Sequence, residues 1–462
     1  MLRPPQPMPN PSQPMLSPSQ PPLLTGPVPG PRSAALAARL TGVESRNVTF
    51  ISHDFPVFWR TALGSNVWDA DGNRFVDLTA AFGVAAAGHR HPVIEDAIRS
   101  QSAALLHAMG DVHPSEVRVE LLERLAALGP PGSRVVLGTS GSEAVEIALK
   151  TATLYTDRPG WLAFSGAYHG VTYGALSVTD RSLFRGPFRP QLNPNVVRAP
   201  YPDEGTGDAS DSLDQVERLL SEPEGGIGAV IVEPALGRGG DVFPPSGFLP
   251  GLAQLCRAHG ALLIADEIFT GFGRTGWRLA CDAETVVPDL LCVGKAMSGG
   301  MPISACIGSA EAMSAWPESA GEAMHTSTFM GHPASCAAAL ASIGLIEELG
   351  LAARAGEEGA RWLEGLRQMA AGRSLVREVR GRGMMIGIQL GDPAGRVPGH
   401  RITATALVEG LKRGWILLGS GVDGDVLSLS PPLTTERDLL DLAVEGVDEV
   451  LAACEATLLS SC

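Results

Sequence analysis

VVLGTSGSEAVEIALK, residues 135–150, passes from a short apolar strand through a turn of small residues into a helix. That strand–turn–helix unit sets the fold class. The same rhythm recurs downstream. Apolar runs at 134–137, 161–164, 228–232, 261–265 and 290–293 read as buried strands, and 143–154 and 249–259 as helices that cover them. Such alternation predicts an α/β fold, a mostly parallel central sheet wrapped by helices. Residues 333–349 are Ala-rich and helical, and after them 376–390, 402–414 and 436–453 mix strand and helix patterns on a smaller scale. The expected organisation is a large domain over 86–332, a linking helix over 333–350, and a smaller α+β domain built from both chain ends, 34–85 and 351–462. Residues 1–33 carry about a dozen prolines among Ser and Gln. Proline donates to no ladder and breaks helices, so this stretch is expected to be a disordered arm.

The chain has 462 residues, more than one hydrophobic core of about 250–300 residues usually serves. A formal net charge of −15 argues against nucleic acid or an anionic membrane as partner. Apolar runs such as GAVIV and ALLIA are strand-sized, far below the ~20 residues of a membrane helix. Seven scattered cysteines without CxxC spacing read as reduced thiols of a cytoplasmic protein, with neither a disulfide frame nor a metal site.

Three segments carry chemistry, each at the carboxyl end of an expected strand, where open α/β sheets bind ligands. In 135–150, the N–H groups of Gly141 and Ser142 and the Ser140 and Ser142 hydroxyls suit a phosphate at a helix start. The same residues also make an ordinary capped helix. In ALLIADEIFTGFGRTG (261–276), Asp266 and Glu267 close an apolar strand, where a carboxylate is costly without a partner such as a protonated ring nitrogen. A helix cap or metal ligand is the plainer reading, although no His or Cys cluster supports a metal. In DLLCVGKAMSGG (289–300), Lys295 follows a buried strand among small residues. Desolvation there would lower its pKa and make it a nucleophile for a carbonyl, whereas a lone lysine is usually a solvated one.

Together these segments ask for one group with a phosphate, a pyridinium nitrogen and a carbonyl that a lysine can capture. In order and spacing they resemble the class III aminotransferases, fold-type I pyridoxal-phosphate enzymes, over about residues 45–455. The resemblance implies pyridoxal 5′-phosphate as cofactor, Lys295 as its covalent carrier and proton shuttle, and Asp266 as the partner of its ring nitrogen. It implies phosphate binding by Gly141 and Ser142. In FSGAYHG (164–170) it implies Tyr168 stacked on the ring with His169 close by; in HTSTF (325–329), Thr328 reaching the phosphate across a homodimer interface; and in IVEPALG (231–237), Glu233 near the floor. An amine or amino acid would donate the amino group and a keto acid or aldehyde accept it. An aminomutase or racemase would use the same lysine and aspartate, and a non-catalytic binding protein would be expected to have lost one of them.

Three departures from the family bear on the substrate. Phe269 stands where a Gln commonly meets the cofactor's phenolic oxygen. EPALGRGG (233–240) places Leu236 and Arg238 where members often have Gln and Glu. Ser428, in VLSLSPPLTT (426–435), stands where carboxylate-binding members often have Arg. Arg238 is expected either to have taken over carboxylate binding or to pair with a local acid such as Asp241. Phe58, Trp59, Phe82 and Val84 are expected near an apolar substrate pocket.

Overall fold

A computed structural model describes residues 19–222 and 226–459. Seven strands form the central sheet in the order Arg134–Gly138, Ser304–Gly308, Leu290–Val293, Leu262–Asp266, Ile227–Val232, Gly160–Phe164, Val196–Ala199. All six residues of Ile227–Val232 are buried, as an inner parallel strand with helices on both faces requires. Leu262–Asp266 and Leu290–Val293 are buried throughout as well. Ser304–Gly308 alone runs antiparallel, wedged between Arg134–Gly138 and Leu290–Val293. The α/β architecture with a mostly parallel sheet is thus the one the alternating pattern predicts. The antiparallel strand escaped that reading because SACIG is short and small-sided.

The helix Gly141–Thr156 packs on this sheet through Ala144, Ile147, Ala148 and Leu149, an apolar stripe of helical period. The helix Pro333–Glu348 starts with Pro at its first turn, where the missing N–H costs nothing. It is buried on most of its circumference against Pro92–Ala104, Glu116–Ala126 and the Lys295–Ser298 turn.

Two four-stranded sheets flank this layer. Trp59–Leu63, Asn66–Asp69 and Arg74–Asp77 form an antiparallel meander, and Trp415–Ile416 from the far end of the chain pairs parallel with Arg74–Asp77. Val376–Arg382, Met385–Leu390, Val426–Leu429 and Leu418–Ser420 form the other. Arg274 ties this second sheet to the loop after Asp266. It is fully buried and donates through Nη1 to the Met384 and Pro431 carbonyls at 3.0 and 2.6 Å.

The expectation of a disordered arm through residue 33 is corrected for its described part. Leu23 exchanges both backbone hydrogen bonds with Arg74, and Asn73 Oδ1 accepts the Thr25 and Gly26 N–H groups. Asp71 accepts from Arg32 and Ser33 at the start of the helix Pro31–Thr41. The residues between the prolines donate to carboxamide and carboxylate side chains, so this segment is tied down without belonging to a regular sheet. Residues 1–18 lie outside the described part. Among the described residues no single helix is long and apolar enough to cross a membrane.

Candidate active site

A cavity of about 380 Å³ opens at the carboxyl ends of the parallel strands and gathers most of the residues singled out by sequence. Lys295 opens the short turn Lys295–Ser298, directly after Leu290–Val293, with φ +41°. Its amine lies 4.3 Å from the centre of the Phe269 ring. Burial pushes the amine's pKa down to about 8, against the pull of the Asp266 and Glu233 carboxylates, and the Arg238 charge acts in the same direction as burial.

Asp266 ends its strand with Oδ2 2.7 Å from His169 Nδ1 and with Oδ1 accepting the Ile268 N–H at 3.1 Å. His169 Nε2 is buried and has no partner among the described residues. Glu233, fully buried behind Tyr168, accepts that residue's N–H at 2.8 Å and the Gly237 N–H at 3.1 Å. Burial raises its pKa to about 7; the His169 charge opposes the shift and Asp266 reinforces it. Glu267 has a different task. It accepts from Thr270 Oγ1 and from the Ala280 and Cys281 N–H groups, bracing the loop after the strand.

At the start of Gly141–Thr156, Ser140 Oγ accepts the Glu143 N–H as N-cap. The Gly141 and Ser142 N–H groups have no acceptor among the described residues, which leaves an anion site of the helix N-terminal kind. Capping by Ser140 therefore leaves these two N–H groups open to an anion. Ser142 Oγ also accepts the Val171 N–H at 2.9 Å and so fixes the His169–Thr172 segment. Gly170 makes that contact possible: its φ is +119° and a Cβ would fall 1.8 Å from Ser142 Oγ.

Phe82 reaches the cavity from a run of left-handed residues, Ala80, Ala81 and Phe82 at φ 44°, 48° and 62°. Such backbone costs about 1–2 kcal/mol per residue and needs support. Asp77 supplies it by accepting the Thr79 N–H, the Thr79 hydroxyl and the Ala81 N–H. Phe269 packs so tightly that a Cβ on either Gly83 or Gly237 would meet its ring at 2.8 Å.

Four expected residues do not line the cavity: Phe58, Trp59, Val84 and Thr328. Trp59 lies on an exposed strand with its ring against His89, outside the cavity. Arg60 and Thr61 beside it are exposed as well, and sequence proximity to the pocket segment did not reveal that exposure. Thr328 is exposed in a loop and does not line its own chain's cavity. Ser428 and Arg238 do line it. Arg238 forms no ion pair with Asp241, whose carboxyl is fully buried beside Ser428. Ile268, Leu418 and Ser420 are wall residues the sequence reading missed. Ile268, two positions after Asp266, was open to inference, whereas Leu418 and Ser420 come from a three-residue strand with no signal of its own.

The residues present fit pyridoxal phosphate: unpaired N–H groups for the phosphate, the Asp266 carboxylate, and a buried amine within one cavity. The comparisons agree. The chain matches the class-III aminotransferase family over residues 50–451 and belongs to that family. It is 36% identical over 436 residues to a 4-aminobutyrate aminotransferase of Mycobacterium leprae, covering 91% of this chain and 95% of that one. In structure it is similar to an amine transaminase from an uncultivated Pseudomonas species, with TM-score 0.82, 29% identity, and 89% and 99% of the two chains covered. It is also similar to the ornithine aminotransferase of Toxoplasma gondii, with TM-score 0.81, 28% identity, and 92% and 96% covered. The fold is fold-type I, the cofactor pyridoxal 5′-phosphate, and the activity transamination.

Proposed function

We propose that this cavity transfers an amino group from an amine or amino acid to a keto acid or aldehyde, with Lys295 and Asp266 as its catalytic residues. Pyridoxal phosphate, when bound, supplies the electron sink that makes the substrate Cα–H acidic. Lys295 carries the proton to and from the substrate Cα, a task suited to an amine whose pKa is about 8. Asp266 holds a proton on the ring nitrogen, and the His169 ring at 2.7 Å fixes the orientation of that carboxylate. Gly141 and Ser142 bind the phosphate through their N–H groups, and Tyr168 packs along the ring. The observation that carries this reading is the buried Lys295 amine in one cavity with the Asp266–His169 pair and an open helix N-terminus.

We further propose a homodimer with shared sites, in which Thr328 serves the partner's phosphate. An exposed apolar surface that includes Met109, Met324 and Phe329 supports it. A cytoplasmic location accords with the six thiols among the described residues, all buried and unbridged.

The test is the absorbance of the purified protein. A visible cofactor band that bleaches on addition of an amino donor and returns on addition of a keto acid is expected. Racemisation or amino-group migration with no need for a keto acid would overturn transfer. A colourless protein that stays inert with added pyridoxal phosphate would overturn the assignment of Lys295.

A further inference from the structure

Arg238 sits at the tip of a tight turn. Leu236 and Val242 exchange backbone hydrogen bonds at 2.9 and 3.2 Å, and Gly240 closes the turn by donating to Gly237 O at 3.1 Å. Three donors converge on the Arg238 carbonyl: Ser420 Oγ at 3.1 Å, the Gly421 N–H at 3.3 Å and Arg181 Nη1 at 3.5 Å. Arg181 Nη2 also donates to Gly421 O at 3.0 Å, so one guanidinium joins both sides of the clamp. From the other direction Arg380 donates to the Gly240 and Asp241 carbonyls. The backbone under Arg238 is thereby fixed from two separate parts of the chain.

Its side chain is not matched. Arg238 lines the cavity, half-buried, yet among the described residues it has neither an ion pair nor a side-chain hydrogen bond. Its one aromatic contact, 5.8 Å from guanidinium carbon to Tyr168 ring centre, lies near the outer limit of a cation–π attraction and satisfies none of its five donors. A partly desolvated guanidinium without an acceptor is unfavourable, and a bidentate carboxylate is the ligand that best repairs it. The neighbouring charge of Arg181 adds to the positive potential there. The Asp241 carboxyl, the local acid that could have silenced Arg238, is fully buried and forms no ion pair with it, and neither of its oxygens has a hydrogen-bond partner among the described residues. Phe82, Phe269, Leu418 and Ser428 add apolar or neutral wall, while the other charged lining groups, Glu233, Asp266 and Lys295, are those already assigned to the catalytic end of the cavity.

We propose that Arg238 is the carboxylate-binding residue of this pocket, with Arg181 as the positioning residue that holds its backbone, so that the substrates are amino and keto acids bound through a carboxylate. This rests on the aminotransferase reading above.

The experiment compares half-reactions of the holoenzyme with donors matched except for the carboxylate: alanine against 2-aminopropane, and 4-aminobutyrate against butylamine. The wild-type protein is expected to prefer the acid in at least one pair. Arg238→Ala should lower that acid-to-amine ratio by about thirtyfold, the scale of a lost charged hydrogen-bonding partner, and Arg238→Lys by less. Arg238→Gln, checked for a normal cofactor band, replaces the alanine variant if that one does not fold. Arg181→Ala should raise KM for the acid more than it lowers kcat, with recovery in Arg181→Lys. No preference in either pair, or a ratio within about threefold of wild type in the Arg238 variants, overturns the proposal while transamination stands. A wild-type protein that bleaches with none of the four donors overturns both.

Discussion

Lys295 is placed where three influences on one amine can be ranked. Burial lowers its pKa to about 8 although two carboxylates, Asp266 and Glu233, favour the charged form. The unfolded lysine titrates near the model value of 10.5, so the folded chain releases this proton earlier. Between about pH 8 and 10.5 the native amine is neutral while the unfolded one is charged; stability therefore rises with pH across that window, and the fold carries a penalty below it. The neutral amine is also the nucleophile. The rate at which cofactor-free protein captures added pyridoxal phosphate should thus climb as pH rises toward about 8 and level off above it. Absorbance mixing experiments across that range check this. A rate still climbing steeply near the ordinary lysine pKa would show that the amine is better solvated than its surroundings imply. Asp266 sits beside it with a ready-made partner in His169, so the acid of this site does not depend on the cofactor alone for compensation.

Among the elements, the 237–241 turn stores a cost that pH should reveal. Asp241 is fully buried at φ +52°, and burial raises its pKa to about 8, with the Ser428 hydroxyl and the Arg380 charge opposing the shift. Here the sign is opposite to that of Lys295. From about pH 4 upward the unfolded chain carries an ionised Asp241 while the fold keeps it protonated, so stability falls as pH rises toward 8, by at most about 1.4 kcal/mol per pH unit. Asp241→Asn removes the titration. Its melting temperature relative to wild type should be higher at about pH 8 than at about pH 5, by several degrees. Parallel curves in thermal melts at the two pH values would sink this account. The same turn shows why sequence legibility was uneven. Inner strands such as IGAVIV and LLIAD announced themselves because burial on both faces leaves a continuous apolar run, and Lys295, Asp266 and the Gly141 start followed from their strand ends. Contacts between segments far apart in the chain left no local trace: the clamp of Ser420 and Gly421 on Arg238, the His169–Asp266 pair, and the strap of residues 19–33 on Asn66, Asp71 and Asn73. The exposure of Trp59 was likewise not legible, since an exposed strand face and a pocket wall look alike in sequence.

For the whole molecule, one chain leaves its surface unfinished next to the site. Leu106 and Met109 are exposed on the segment whose His107 ring lies 5.6 Å from Phe329, and Thr326 donates to Asp111 at 2.8 Å, so two distant segments form one apolar face. Thr328 is exposed within it. Apolar area of this kind gains by being covered, and a two-fold dimer would cover it with the same face of a second chain. If each site takes Lys295 from one chain and Thr328 from the other, two inactive proteins can repair one another. Lys295→Ala removes the amine, and Thr328→Asp sets a carboxylate against the phosphate, so each homodimer should be inactive. In a mixed dimer one site receives both defects and the other receives neither. With random pairing of equal amounts, half the dimers are mixed and half of their sites intact, which predicts recovery of about a quarter of wild-type activity on co-expression. Were Thr328 to serve its own chain's site, both sites of every mixed dimer would carry one defect and no activity would return. Recovery of activity in the co-expressed pair, measured with both single variants as controls, therefore decides whether the site is complete in one chain or closed by two.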